Sequence, residues 1–142
     1  MNILFYLLPK SDVIYVYDDD TLRQAVEKME YHKYSAVPII TRTGTYAGTL
    51  TEGDILWEIK RKRSADYREL ESTRVRSLNR KRDNQPVNIN CEIEDLIMTA
   101  MNQNFIPVID DNGTFIGIVT RKSIIEYCYS HFRKDGDAVR NC

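Results

Sequence analysis

Two rhythms of apolar and polar positions alternate along the chain, and each appears twice. An apolar run at residues 13–17, "VIYVY", predicts a short strand. After Asp20 and Thr21, which suit a helix start, Leu22, Val26 and Met29 recur at helical spacing. "SAVPII" then reads as a buried strand, "RTGT" as a tight hairpin turn and "YAGTL" as the returning strand, which runs into a helix with its N-terminus at Thr51. The same order returns downstream. A strand is expected at residues 87–89, a helix carrying Ile93, Leu96, Ile97, Met98 and Met101, a strand in "FIPVID", a turn in "DNGT", and a strand "FIGIV" entering a helix at Thr120. Gly44 and Gly113 supply the positive φ that such turns need.

The two passages are copies. "PIITRTGTYAGTLTEGDILWEI" from Pro38 aligns without a gap on "PVIDDNGTFIGIVTRKSIIEYC" from Pro107, an offset of 107 − 38 = 69 residues, with Pro38/Pro107, Ile40/Ile109, Gly44/Gly113, Thr45/Thr114, Gly48/Gly117, Thr51/Thr120 and Ile55/Ile124 identical. Upstream the second copy is a few residues shorter around its first helix. The pattern predicts an α/β (α+β) fold of two β-α-β-β-α repeats, residues 1–59 and 86–133, packed sheet against sheet with pseudo-two-fold symmetry because neither half buries enough apolar surface alone. Residues 60–85 read as a basic helical connector and 134–142 as a flexible polar tail.

Composition sharpens this picture at one place. The net charge is −1, yet ten of the 20 Lys and Arg residues (Lys60, Arg61, Lys62, Arg63, Arg68, Arg74, Arg76, Arg80, Lys81, Arg82) fall in the connector, against Asp66, Glu69, Glu71 and Asp83. Such a run is a solvated connector, a nucleic-acid face, or a source of arginines for phosphate in a groove between the repeats. Cys91, Cys128 and Cys142 are odd in number and widely spaced, as expected of reduced thiols, and His32 and His131 alone make no metal site. The apolar run at residues 3–8 stops at Pro9, too short to cross a membrane and without the marks of a signal peptide, so a cytoplasmic protein is expected. No GxxxxGK[ST], HExxH or GxSxG motif is present, and the chain reads as no enzyme.

The tandem units, each with an apolar strand through a proline, a glycine turn and then glycine, two apolar or small residues and T-x-x-D or its like, resemble a pair of CBS domains, the cystathionine-β-synthase-type module. The resemblance runs from about residue 2 to residue 131 and implies a stand-alone bacterial regulatory pair that binds adenosine-containing ligands (AMP, ADP, ATP, S-adenosylmethionine or cyclic di-AMP) in two clefts between the repeats. It implies no further cofactor, a disc-like homodimer with Leu56, Trp57, Ile125 and Tyr127 on its face, and signal transduction to an unidentified target protein. Carried over, one cleft combines Thr49, Thr51 and Asp54 with Val87, Asn88, Asn104, Phe105 and Ile106. The other combines Ile118, Thr120 and Ser123 with Ile14, Tyr15, Tyr34, Ser35 and Ala36.

The chemistry of these residues fits such ligands. Thr51 and Asp54, at i and i+3, share one face of a first helical turn, where a carboxylate takes both ribose hydroxyls and the helix N-terminus favours phosphate. The same pair also makes an ordinary capping box. In the second copy Ser123 replaces the ribose-binding aspartate while Arg121 and Lys122 stand at the helix mouth, an arrangement similar to small cyclic di-AMP-binding CBS proteins. There, either the basic pair meets phosphate or it is a solvated first turn. Tyr31, Tyr34, Phe105, Phe115 and Trp57 read as core or dimer-face aromatics, with Tyr34 the one placed near a ligand's path. The alternative function is a nucleic-acid-associated protein that uses the connector.

Overall fold

The computed structural model describes residues 1–63, 66–80 and 82–134; the expected tail beyond Lys134 lies outside the described residues. Two small sheets carry the fold. Strands β2 (Val16–Tyr17), β3 (Ala36–Ile40) and β4 (Tyr46–Thr51) form one in the order β2-β3-β4, with β2 parallel and β4 antiparallel to β3. The other has four strands in the order β1-β7-β6-β5: β1 (Leu8–Pro9), β5 (Val87–Asn88), β6 (Phe105–Ile109) and β7 (Phe115–Thr120).

Local rules account for most elements. Helix α1 (Leu22–His32) opens on a capping box in which Thr21 accepts from the Gln24 amide and Gln24 accepts from the Thr21 amide, and it closes on Lys33 in a left-handed conformation. Helices α2 (Glu52–Lys62) and α4 (Arg121–Lys134) start directly after Thr51 and Thr120. Gly44 and Gly113, with φ of 93° and 80°, make the two hairpin turns. Short helix α3 (Tyr67–Ser72) follows α2.

Two expected elements differ. The helix expected in the second copy is instead a pair of 3-10 turns, Ile93–Leu96 and Thr99–Met101. From Val16 to Ala36 the first copy has 36 − 16 = 20 steps, and from Val87 to Phe105 the second has 105 − 87 = 18. A 3-10 turn rises about 2.0 Å per residue against about 1.5 Å in an α-helix, so fewer residues cover the same gap. The expected strand at residues 13–17 shrinks to Val16–Tyr17, because Val13 closes a 3-10 turn onto the Lys10 carbonyl and the Tyr15 carbonyl accepts from Lys28 Nζ instead of a strand.

Each sheet has its own core. Val16, Leu22, Ala25, Met29, Val37, Ile39 and Leu50 fill the first, joined by Val75 and Leu78, so the connector is part of this layer. Ile93, Leu96, Ile106, Val108, Val119, Ile124 and Tyr127 fill the second, together with Ile3 from the N-terminal segment. Between the sheets Val13, Ile40, Phe105, Phe115 and Ile118 form a third cluster. Buried aliphatic and aromatic side chains of this kind contribute about 1.5–3 kcal/mol each. The two hairpins meet across the pseudo-two-fold axis, where the Phe115 amide donates to the Gly44 carbonyl at 2.8 Å and Tyr46 stacks on Phe115 at 6.4 Å. Cys91 and Cys128 are half-buried and packed on the second core.

Candidate functional site

The repeats generate two clefts related by pseudo-symmetry, and their contents differ. In the second cleft, Leu8, Asp12, Val13 and Ile14 form one wall and Tyr34, Ala36, Pro38, Phe105, Ile118 and Thr120 the rest of a cavity of about 200 Å³. Its floor is apolar, and Asp12, Asn104 and Thr120 bring polar groups to its edge. A flat heteroaromatic ring needs those two things, apolar faces and an edge of hydrogen-bonding groups.

Ala36 and Asn104 also line a second, polar hollow of about 540 Å³, shared with Ser35, Thr51, Glu52, Gly53, Asp54, Trp57, Arg82, Asn84, Asn102 and Arg121. The two spaces therefore adjoin, with Ala36 and Asn104 between them. Arg121 donates from Nε to the Ala100 carbonyl at 2.7 Å, which fixes the guanidinium at this wall, and Arg82 of the connector comes from another part of the chain. The N-terminus of α2 also opens here, and a helix N-terminus favours anions. Lys122 is exposed. Ser123 is drawn back into its own helix start: the Thr120 hydroxyl donates to Ser123 Oγ at 3.0 Å and accepts from the Ser123 amide at 3.1 Å.

In the first cleft the wall formed by residues 83–85, the counterparts of 12–14, is hydrogen-bonded across to β4 and β6. The Asn84 amide donates to Thr49 Oγ1 at 3.2 Å, and Asn84 Nδ2 donates to the Phe105 carbonyl at 3.0 Å. Tyr46 donates its hydroxyl to the Asn84 carbonyl at 2.7 Å, with Thr49 Oγ1 a further 2.7 Å partner. Asp83 accepts from the Thr49 amide at 2.9 Å and from Arg80 Nε at 2.9 Å. The buried Gln103 carboxamide grips the Gln85 backbone on both sides, accepting from its amide and donating to its carbonyl. Burial pushes the Tyr46 hydroxyl up to about 12, with Asp83 adding to the rise and the Thr49 hydrogen bond opposing it.

These placements sort the expected ligand residues. Ile14, Tyr34, Ala36, Ile118 and Thr120 come together in the second cleft, while Ser35, Thr51, Asp54 and Arg121 meet in the polar hollow. Thr51 and Asp54 form a reciprocal capping box, at 3.0 Å and 3.1 Å, and Asp54 is buried. Tyr15 packs edge-on against Tyr17 and beneath Lys10 and Lys28 instead of lining the cavity. Asn88 turns away to Asp111 at 2.9 Å, and Ile106 points into the second core. The reason is register: Val87 takes the place of Val16, an offset of 71, so the counterpart of Ile14 is Gln85 and not a residue of β5. Sequence reasoning missed Asn84, Gln85 and Gln103. The two-residue difference between the copies is the signal that finds them.

Tyr127 does not belong to an exposed face. It is 5% exposed, stacks edge-on with Tyr6 and donates to Glu94. That hydrogen bond raises Tyr127 to about 12 and lowers Glu94 to about 2. Leu56, Trp57 and Ile125 are exposed. Connector cations are spread over local partners, Arg61 on Glu58, Arg74 on the Asp19 carbonyl and Arg80 on Asp83. Among the described residues no group of three or more His, Cys, Asp or Glu side chains is placed to hold a metal, and no helix is long and apolar enough to cross a membrane.

Comparison with known proteins agrees with this architecture. The chain is similar to CbpB in a crystal structure with cyclic di-AMP, with 28% identity, a TM-score of 0.82, and coverage of 96% of this chain and 91% of the other. CbpB from Streptococcus agalactiae is likewise 28% identical, with a TM-score of 0.77 over 96% of this chain and 87% of its own. A curated relative is inosine-5'-monophosphate dehydrogenase of Methanocaldococcus jannaschii, 26% identical over 124 residues; the aligned stretch is 82% of this chain but only about a fifth, 22%, of that enzyme. The sequence model of the CBS domain matches twice, at residues 7–61 and 75–130, and the chain belongs to the CBS-domain family as a tandem pair.

Proposed function

We propose that the protein is a non-catalytic sensor of adenine nucleotides whose working site is the second cleft with its adjoining polar hollow. The observation that carries this reading is that an apolar slot and a polar hollow adjoin, with Ala36 and Asn104 lining both. An adenine fits the apolar slot between Ile14, Ala36 and Ile118, and its phosphate reaches the hollow where Arg121 and Arg82 stand. Ser123 offers no carboxylate to clamp a ribose diol, which favours cyclic di-AMP, whose 3′ oxygens are already esterified, over AMP, ADP or ATP. The likeness to CbpB, crystallised with cyclic di-AMP, supports the same ligand.

The output is a change in partner affinity. A ligand that binds one state better shifts the population toward it by its difference in affinity. The exposed Leu56, Trp57 and Ile125 supply an apolar face for a homodimer in the cytoplasm, with a target protein reading its shape. A thermal-shift titration tests the nucleotide reading, with cyclic di-AMP, AMP, ADP, ATP and GMP as a control. At about a hundred times its dissociation constant the ligand adds about 2.7 kcal/mol, a rise of several degrees. Cyclic di-AMP is expected to give the largest rise and GMP none; flat curves for every adenine compound would overturn the reading.

A further inference from the structure

One carboxylate in the second cleft lacks the partners that its copy has in the first. By the offset of 71, Asp12 is the counterpart of Asp83 (83 − 71 = 12) and Pro9 that of Arg80 (80 − 71 = 9). Asp83 is satisfied within the protein, accepting from Arg80 Nε at 2.9 Å and from the Thr49 amide at 2.9 Å. Pro9 has no cation to offer, and Ile118, which stands where Thr49 does, is paired with Leu8 in the β1–β7 ladder. Among the described residues the Asp12 carboxylate receives no hydrogen bond or ion pair.

Its surroundings make that carboxylate selective. The other side chains around the slot are uncharged, and most are apolar. Thr120, one of the few polar ones, donates its hydroxyl to Ser123. Asp12 lines the slot and not the hollow, whereas Arg82 and Arg121 line the hollow and not the slot. A ligand lying across both spaces therefore meets a negative group in one and positive groups in the other. That order turns a hydrogen-bond donor toward Asp12 and phosphate toward the arginines. An ionised carboxylate only accepts hydrogen bonds. Adenine offers it a donor, the 6-amino group; a 6-oxopurine puts an acceptor at the same place, and the carboxylate is left unmet.

We infer that Asp12 selects an amino-bearing purine in the second cleft, accepting a hydrogen bond from its 6-amino group and so fixing which way the base lies. This rests on the nucleotide reading, and titration calorimetry on the intact protein separates the two. The probes are cyclic di-AMP against cyclic di-IMP, and AMP against IMP. Within each pair a 6-amino group gives way to a 6-oxo group, with a proton added at N1. For whichever pair binds, the amino member is expected to bind about tenfold to a hundredfold more tightly, the worth of one hydrogen bond to a charged group. In Asp12→Asn the carboxamide offers an acceptor or a donor in the same shape, so the ratio should fall close to unity. The urea midpoint of that variant should not move, because Asp12 holds no other side chain in place. Equal binding of both members by the unmodified protein, or a preference that Asp12→Asn leaves intact, would overturn the inference while the sensor reading stands. If no member of either pair binds, the sensor reading fails and the inference falls with it.

Discussion

Two equivalent glycines show how much a single residue decides here. A Cβ on Gly117 would stand 2.2 Å from the Leu8 carbonyl, a backbone atom held by strand pairing, whereas at Gly48 it would meet only side-chain ends. Both residues have φ near 150°, which costs any other residue about 1–3 kcal/mol. Gly117→Ala is therefore expected to lower stability by about 3 kcal/mol or more in urea unfolding, and Gly48→Ala by less, since the Arg80–Asp83 pair can swing aside. Arg121→Ala should weaken cyclic di-AMP about tenfold to a hundredfold by calorimetry, the worth of one charge-assisted contact, with Arg121→Lys falling between. Tyr46 gives the pH dependence. Its folded value, about 12, lies above its ordinary value of 10, so the folded state holds the proton more tightly. The stability from this group is complete below about pH 10 and is lost as pH rises toward 12. In Tyr46→Phe the urea midpoint should fall less steeply across that window. The glycine turns and threonine caps were legible in the sequence because the rule and the residue coincide. The role of Asn84 was not, since its partners Thr49 and Phe105 lie 35 and 21 positions away.

Among the elements, the N-terminal segment departs furthest from its neighbourhood in sequence. Strand β1 pairs antiparallel with β7, Leu8 opposite Ile118 and Pro9 opposite Gly117, and so completes the sheet of the other repeat. Pro9 is tolerated because β1 is an edge strand, where a missing amide costs no ladder bond. Ile3 follows it into the second core, fully buried. Ile3→Ala should cost about 2–5 kcal/mol, measured by chemical denaturation, although the residue stands some ninety positions before the side chains around it. The apolar run at residues 3–8 gives no hint of this destination, because apolarity shows that a segment is buried but not against what. The first helix of the second copy was misread for a similar reason. Ile93, Leu96 and Met101 keep a helical spacing, and only the distance to be spanned selects the 3-10 form.

At the scale of the whole molecule, duplication supplies symmetry and the connector removes it. The hairpins β3–β4 and β6–β7 repeat each other's register, as the repeat offset of 69 residues implied, while β1 makes the second sheet one strand larger. The clefts differ: in one, Asn84 ties Thr49 to Phe105 through a polar network, and the other is lined mostly by apolar side chains. Exposed Leu56, Trp57 and Ile125 predict association through the helices, and sedimentation should give twice the chain mass of 16.6 kDa, returning to the monomer when Trp57 and Ile125 become Glu. The crossing of β1 to the far sheet also sets an order of events during synthesis. The first strand leaves the ribosome more than a hundred residues before β7, its partner, exists. The first sheet and its core close early, while β1 waits unpaired and the second sheet stays incomplete until β7 has been made. An early strand thus waits for a late partner, and a messenger truncated before β7 yields a product with a finished first sheet and an exposed apolar β1 segment, which proteases recognise.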